Sequence, residues 1–191
     1  MRIGYGWDSH EFKSGIPLKI GGVAIDHPKG LSGHSDGDVL LHALTDALLG
    51  AIAAGDIGTY FPPSDARWKG ADSAVFVQTA LEHVRRAGYT VANVDSTLIL
   101  QEPKIGPHAA FIQRRVAELL NIDAASVGVK AKTPEGMGTD NAAIAHVIVL
   151  LDKKSGKRRR RAEAMDAVPQ PVVDSVAEEL VESVEAPKRE K

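Results

Sequence analysis

The sequence contains no cysteine, which excludes a disulfide framework and every metal site built on thiolates, structural zinc modules included. Any bound metal therefore falls to His, Asp and Glu. No apolar run approaches the roughly 20 residues that cross a bilayer. The N-terminus opens into a strand-like pattern, with neither a basic leader nor an Arg/Ser-rich transit segment. A soluble cytoplasmic protein is the expectation. The net charge of −2 gives no overall basic excess, and the body of the chain lacks the signature of a nucleic-acid binder. Charge is nonetheless placed unevenly, with seven basic residues in 153–161 and seven acidic ones in 163–185.

A chain of 191 residues with 43% hydrophobic content can bury one substantial core. We expect one domain over 1–152 and a charged tail over 153–191, disordered or partly helical. Residues 1–8 and 18–25 read as strands, the second carrying a Gly21-Gly22 pair that suggests a bulge or a close backbone approach. Over 36–54 the apolar positions Val39, Leu40, Ala43, Leu44, Ala47, Leu48, Ala51 and Ile52 recur at three- and four-residue steps, the period of an amphipathic helix. Ser35 is its candidate N-cap and Gly55 its stop. Residues 58–70, rich in Pro, Asp, Ser and Gly, read as a surface loop. Helices are expected over 73–87 and 107–120, and strands over 91–100, 127–132 and 142–151. Such alternation predicts a mixed sheet with helices packed on it, an α/β or α+β layer sandwich.

Three places can carry chemistry. In Asp8-Ser9-His10, at the end of the first strand, residues two apart point to the same side, so carboxylate and imidazole can converge. His42, a polar ring in an apolar helical run, is a candidate third ligand, with Asp38 and Asp46 four residues to either side as candidates to orient it. A His₂Asp set leaves one position of a zinc ion open for reactant. The alternative is plain: a D-x-H triplet arises by chance, and a single helical His is more often packed than ligating. Residues 33–38 place His34, Ser35 and backbone N–H groups before a helix, where phosphate binds well, although capping alone explains them equally. Thr133 and Glu135 in the 130–135 segment can meet a phosphate and a hard divalent ion, or form an ordinary polar loop. The proline-bracketed 101–107 segment can present backbone groups to a base, or simply join a strand to a helix.

Together and in order, these motifs resemble the 2-C-methyl-D-erythritol 2,4-cyclodiphosphate synthase family. The resemblance covers 1–151 and rests on MRIGYGWDSHEF, GLSGHSDGDVLLHALTDALLGAIAAGDIGTYFPPSD, KGADS, NVDSTLILQEPKIGPH and VKAKTPEG. It implies a mixed sheet with helices on one face, a homotrimer with active sites between subunits, and a lyase of the non-mevalonate isoprenoid pathway. The implied reaction converts 4-diphosphocytidyl-2-C-methyl-D-erythritol 2-phosphate to the cyclodiphosphate with release of CMP. Asp8, His10 and His42 would hold zinc. His34, Thr133 and Glu135 would act in catalysis, with Mg²⁺ or Mn²⁺ accompanying the diphosphate. Asp8, His10, His34 and Ser35 would meet substrate at the zinc side, and Asp56, Gly58 and Asp65 the methylerythritol portion. Leu100, Pro103, Lys104 and Ile105 would frame the cytosine. Two departures stand out: the stretch after Glu135 is short and lacks the Arg usual in the family, and Lys132 stands where Thr is common. Other readings are a metal-dependent phosphohydrolase of nucleotide diphosphates, or a non-catalytic module whose basic run binds nucleic acid.

Overall fold

The computed structural model describes residues 1–154; the expectation of a disordered or partly helical tail falls, beyond residue 154, outside the described residues. Strand β1 runs over Arg2–Ser14, well beyond the residue 8 limit expected from sequence. The reason is pairing. β1 runs antiparallel to β7 (Ala142–Lys153) from Arg2 to Glu11, and then to β4 (Lys29–Leu31) from Phe12 to Ser14. Ladder bonds from distant partners keep the polar Asp8-Ser9-His10 segment extended, so it lies inside the strand and not at its end. The strand expected over 18–25 is a hairpin, β2 (Leu18–Ile20) and β3 (Val23–Ile25). Gly21 and Gly22 form its turn with φ of 63° and 74°, values that glycine adopts without a Cβ clash.

Strands β5 (Tyr89–Ile99) and β6 (Val127–Lys132) complete a five-stranded sheet of order β4-β1-β7-β5-β6. Only β5 and β6 are parallel, and helix α4 (Ala109–Leu120) makes the crossover between them. The sheet is mixed, as the alternation of elements predicts. Helix α3 spans Ser73–Arg86, close to the expected span. The 58–70 segment is more ordered than a surface loop: it holds α2 (Ile57–Tyr60) and a 3₁₀ turn at Ala66–Trp68, and it buries Phe61 and Trp68.

Helix α1 (Val39–Ala51) buries eleven of its thirteen residues, because β1 and β7 cover one side and α3 the other. Its seat on β1 is unusually close. A Cβ at Gly4 would lie 1.8 Å from the Ala47 carbonyl oxygen, and one at Gly6 would lie 1.9 Å from that of Ala43. Glycine in the strand and alanine in the helix let backbone rest on backbone. The cap is Asp38, not Ser35. Its fully buried carboxylate accepts from Leu41 N at 3.0 Å and also from Gly21 N at 2.8 Å and Gly22 N at 2.6 Å, so one side chain caps the helix and clasps the β2–β3 turn. Local sequence offers oxygens at 35, 36 and 38, and only the last accepts from both the first turn of the helix and the β2–β3 turn.

Among the described residues nothing covers the face of the sheet away from α1. Ile3, Tyr5 and Trp7 on β1 and Ile148 on β7 are each between 48% and 71% exposed. Among the described residues no helix is long and apolar enough to cross a membrane.

Candidate metal centre and adjoining pockets

Alternation along β1 puts Gly4, Gly6, Asp8 and His10 on the side facing α1. The two glycines bring the helix down, and His42 on its second turn then meets the two polar side chains. His42 Nδ1 lies 3.0 Å from Asp8 Oδ2 and 2.9 Å from His10 Nε2; the remaining side of the triangle is 3.3 Å. Among the described residues these three form the only group of three or more potential ligands. Burial holds the His10 imidazole below its ordinary pKa, outweighing the opposing pull of Asp8, and so favours the neutral form that ligates metal. Two imidazoles and a carboxylate converging on one point suit a borderline divalent ion such as zinc and leave a coordination position open. The donor set fits.

Neither acidic neighbour on the helix orients His42. Asp38 serves the cap, and Asp46 accepts from Ile57 N at 2.7 Å, fixing the start of α2. Burial raises the pKa of Asp46. His42 Nε2 instead lies 2.9 Å from both Ser35 Oγ and Ser73 Oγ. Ser73 escapes a sequence reading that sees it only as the start of a helix; the sole available signal is the polar residue within KGADS.

A cavity of about 210 Å³ opens from this cluster. Asp8, His10, His34, Ser35, His42 and Gly58 line it, together with an apolar wall that includes Phe61, Trp68 and Phe76. The sequence did not reveal that wall, because the rings of residues 61, 68 and 76, with Trp68 edge-on to both phenylalanines, meet only through tertiary packing. His34 Nε2 lies 3.3 Å from the Asp65 carbonyl oxygen. Asp65 and Asp56 do not line this cavity; each caps a short helical turn beside it. The side chain and backbone N–H of Thr59 hold the Asp56 carboxyl below its usual pKa.

A second cavity, about 410 Å³, lies beyond the carboxyl ends of the parallel pair β5 and β6. Leu100, Pro103, Lys104, Ile105 and Thr133 line it, and it shares no residue with the first. The Thr133 hydroxyl donates to Glu135. Glu135 itself is exposed and belongs to no group of three potential ligands among the described residues. Within one chain, then, the predicted site residues that line a cavity fall into two clusters, and Asp56, Asp65 and Glu135 line neither.

The model of the YgbB family matches residues 1–152. A 2-C-methyl-D-erythritol 2,4-cyclodiphosphate synthase of Koribacter versatilis (strain Ellin345) is 64% identical over 154 residues, covering 81% of this chain and 99% of that protein. One of Bacillus cereus (strain ATCC 10987 / NRS 248) is 51% identical over 157 residues, with the same coverage. A solved 2C-methyl-D-erythritol-2,4-cyclodiphosphate synthase superposes with a TM-score of 0.75 at 44% identity, covering 79% of this chain and all of the other. A Plasmodium falciparum IspF in complex with CDP gives 0.71 at 35% identity, covering 80% and 96%. The sheet order, the close seat of α1 and the Asp8–His10–His42 cluster thus belong to a chain that is a member of the YgbB family, the family of the 2-C-methyl-D-erythritol 2,4-cyclodiphosphate synthases.

Proposed function

We propose that this chain converts 4-diphosphocytidyl-2-C-methyl-D-erythritol 2-phosphate to 2-C-methyl-D-erythritol 2,4-cyclodiphosphate and releases CMP. The observation that carries the reading is the convergence of Asp8, His10 and His42 at one end of a cavity that His34 and Ser35 also line, in a chain 64% identical to a synthase of that name. Zinc held by those three residues, and Mg²⁺ or Mn²⁺ arriving with the diphosphate near Glu135, would supply positive charge against the phosphoryl oxygens.

The protein's own residues fold and hold one flexible polyanion. The Ser35 hydroxyl and His34 imidazole donate to phosphate oxygens. Asp56 accepts from hydroxyls of the methylerythritol portion, with Gly58 and Asp65 shaping that end. Leu100, Pro103, Lys104 and Ile105 enclose the base, and Thr133 donates to the diphosphate. An oxygen of the 2-phosphate bonds to the β-phosphorus as the bridging P–O bond breaks, and CMP leaves with that electron pair. Nucleophile and leaving group share one molecule, so orientation alone contributes ~7–11 kcal/mol and no protein nucleophile is needed. Purified protein given zinc and Mg²⁺ is expected to release CMP and form the cyclic product without incorporating solvent oxygen. An acyclic, solvent-labelled product would make the chain a phosphohydrolase, and an unchanged substrate would remove the reading altogether.

The same reading assigns this exposed sheet face to a homotrimer. Support comes from the exposed Ile3, Tyr5, Trp7 and Ile148, and from two cavities that share no residue, which neighbouring subunits would bring together into one site. Ile148→Glu is expected to yield a monomer by sedimentation, with CMP release reduced more than 100-fold, because a charge buried without a partner costs several kcal/mol per interface. A trimer of undiminished activity in that variant would show the face to be used otherwise.

A further inference from the structure

We propose that Ser73, backed by Asp36 and Lys19, is a positioning residue that keeps the ring proton of His42 on Nε2, so that the Nδ1 lone pair faces Asp8 and His10. The inference rests on the reading of this cluster as a metal centre.

His42 is pulled from both sides. If Nδ1 carried the proton it would donate to Asp8 Oδ2, 3.0 Å away, and that hydrogen bond would occupy both the lone pair and the carboxylate oxygen an ion needs. On the other side Nε2 meets two serine hydroxyls at 2.9 Å. A hydroxyl can give or accept a proton, so serines alone do not decide the tautomer.

Asp36 decides it. Ser73 Oγ lies 2.5 Å from Asp36 Oδ1, and a carboxylate paired with an ammonium can only accept. The Ser73 proton is therefore committed to Asp36, and what Ser73 offers His42 is a lone pair. Nε2 must donate. Asp36 is held in turn by Lys19 Nζ at 3.0 Å from its other oxygen, and the same ammonium reaches Asp72 Oδ2 at 3.0 Å. Asp72 caps α3, accepting from Ala74 N at 2.9 Å. The chain of donors thus runs in one direction, from Lys19 on β2 and from His42 on α1 toward Asp36, with fully buried Ser73 as the link. Ser35 benefits as well. With Nε2 already protonated, its hydroxyl has no acceptor on His42, and its proton can turn either to the Ser73 oxygen at 3.3 Å or to an oxygen in the cavity.

Second partners of ligating imidazoles typically set metal affinity by 10- to 100-fold. Zinc alone is the probe, titrated into metal-free protein against a competing chromophoric chelator. The ring nitrogens of His42 are followed by ¹⁵N NMR in the same metal-free protein. Wild type is expected to bind one zinc ion per chain and to show a protonated Nε2. Ser73→Ala is expected to bind roughly 10- to 100-fold more weakly, with the proton moved to Nδ1. Asp36→Ala frees the Ser73 proton to point at Nε2, and the same change in ring shifts is expected from a variant that leaves the helix caps Asp38 and Asp72 in place. If both variants keep wild-type zinc affinity and the Nε2 tautomer, the relay is overturned while the metal centre stands. A wild-type chain that takes up no zinc overturns both.

Discussion

Alanine at position 42 is expected to give a folded chain that neither retains zinc nor turns over. The loss in kcat/KM is expected to reach about 10³-fold or more, equivalent to roughly 4 kcal/mol of transition-state stabilisation. The argument is geometric. Asp8 and His10 lie on one strand and reach the site from one side, and His42 is the only ligand on α1. Without it, two neighbouring donors remain, too few to hold the ion firmly. Alanine is a strong helix former, and ten other buried residues of α1 remain to seat it, so circular dichroism is expected to report native helix content. Metal analysis of the purified variant is the check, and stoichiometric zinc there would remove His42 from the ligand set.

Alanine at position 6 is expected to be more damaging to the fold than any change at the ligands. The new methyl would sit 1.9 Å from the Ala43 carbonyl oxygen and 2.7 Å from Ala47 N, both backbone atoms of α1. No flexible side chain can yield there, so strand and helix must part. A loss above ~4 kcal/mol, the range reserved for overpacking of this severity, is expected in denaturant titration. Zinc affinity should fall with stability, because the displaced helix carries His42 away from Asp8. Gly50→Ala is the matched control. That glycine lies within α1, its added Cβ meets nothing closer than the Tyr5 carbonyl oxygen at 3.7 Å, and a gain of ~0.5–1 kcal/mol is expected from helix propensity. Equal effects at positions 6 and 50 would show that the close seat of the helix is not what confines Gly6.

The Asp8–His10–His42 cluster was legible because ligation needs scarce residue types at fixed spacing. A D-x-H triplet in an extended segment and a lone imidazole in an apolar helix stand out in a chain without cysteine. Elements whose limits are set locally were legible too: β6 spans the residues its β-branched and apolar pattern predicts, and α3 ends one residue before the expected 87. What depended on distant partners was not. The length of β1 follows from its ladders with β7 and β4, neither of which leaves a trace in residues 9–14. Asp38 was preferred over Ser35 because Gly21 and Gly22 arrive from another element. Ser73, whose hydroxyl meets His42 Nε2, escaped for the same reason, since it comes from 31 positions away. Helix-based reasoning at four-residue spacing pointed to Asp38 and Asp46, and both carboxylates were already engaged with backbone N–H groups elsewhere.

His10 and His42, 32 positions apart in sequence, belong to a strand and to the helix resting on it. An ion held there as proposed would close that stretch into a ring, much as a disulfide does, and would tie the stability of the fold to its own binding. The closure is undone by a chelator instead of a reductant. Mechanical integrity would then rise and fall with metal supply, so a cell short of the ion would hold not merely an idle protein but one more easily unravelled and digested.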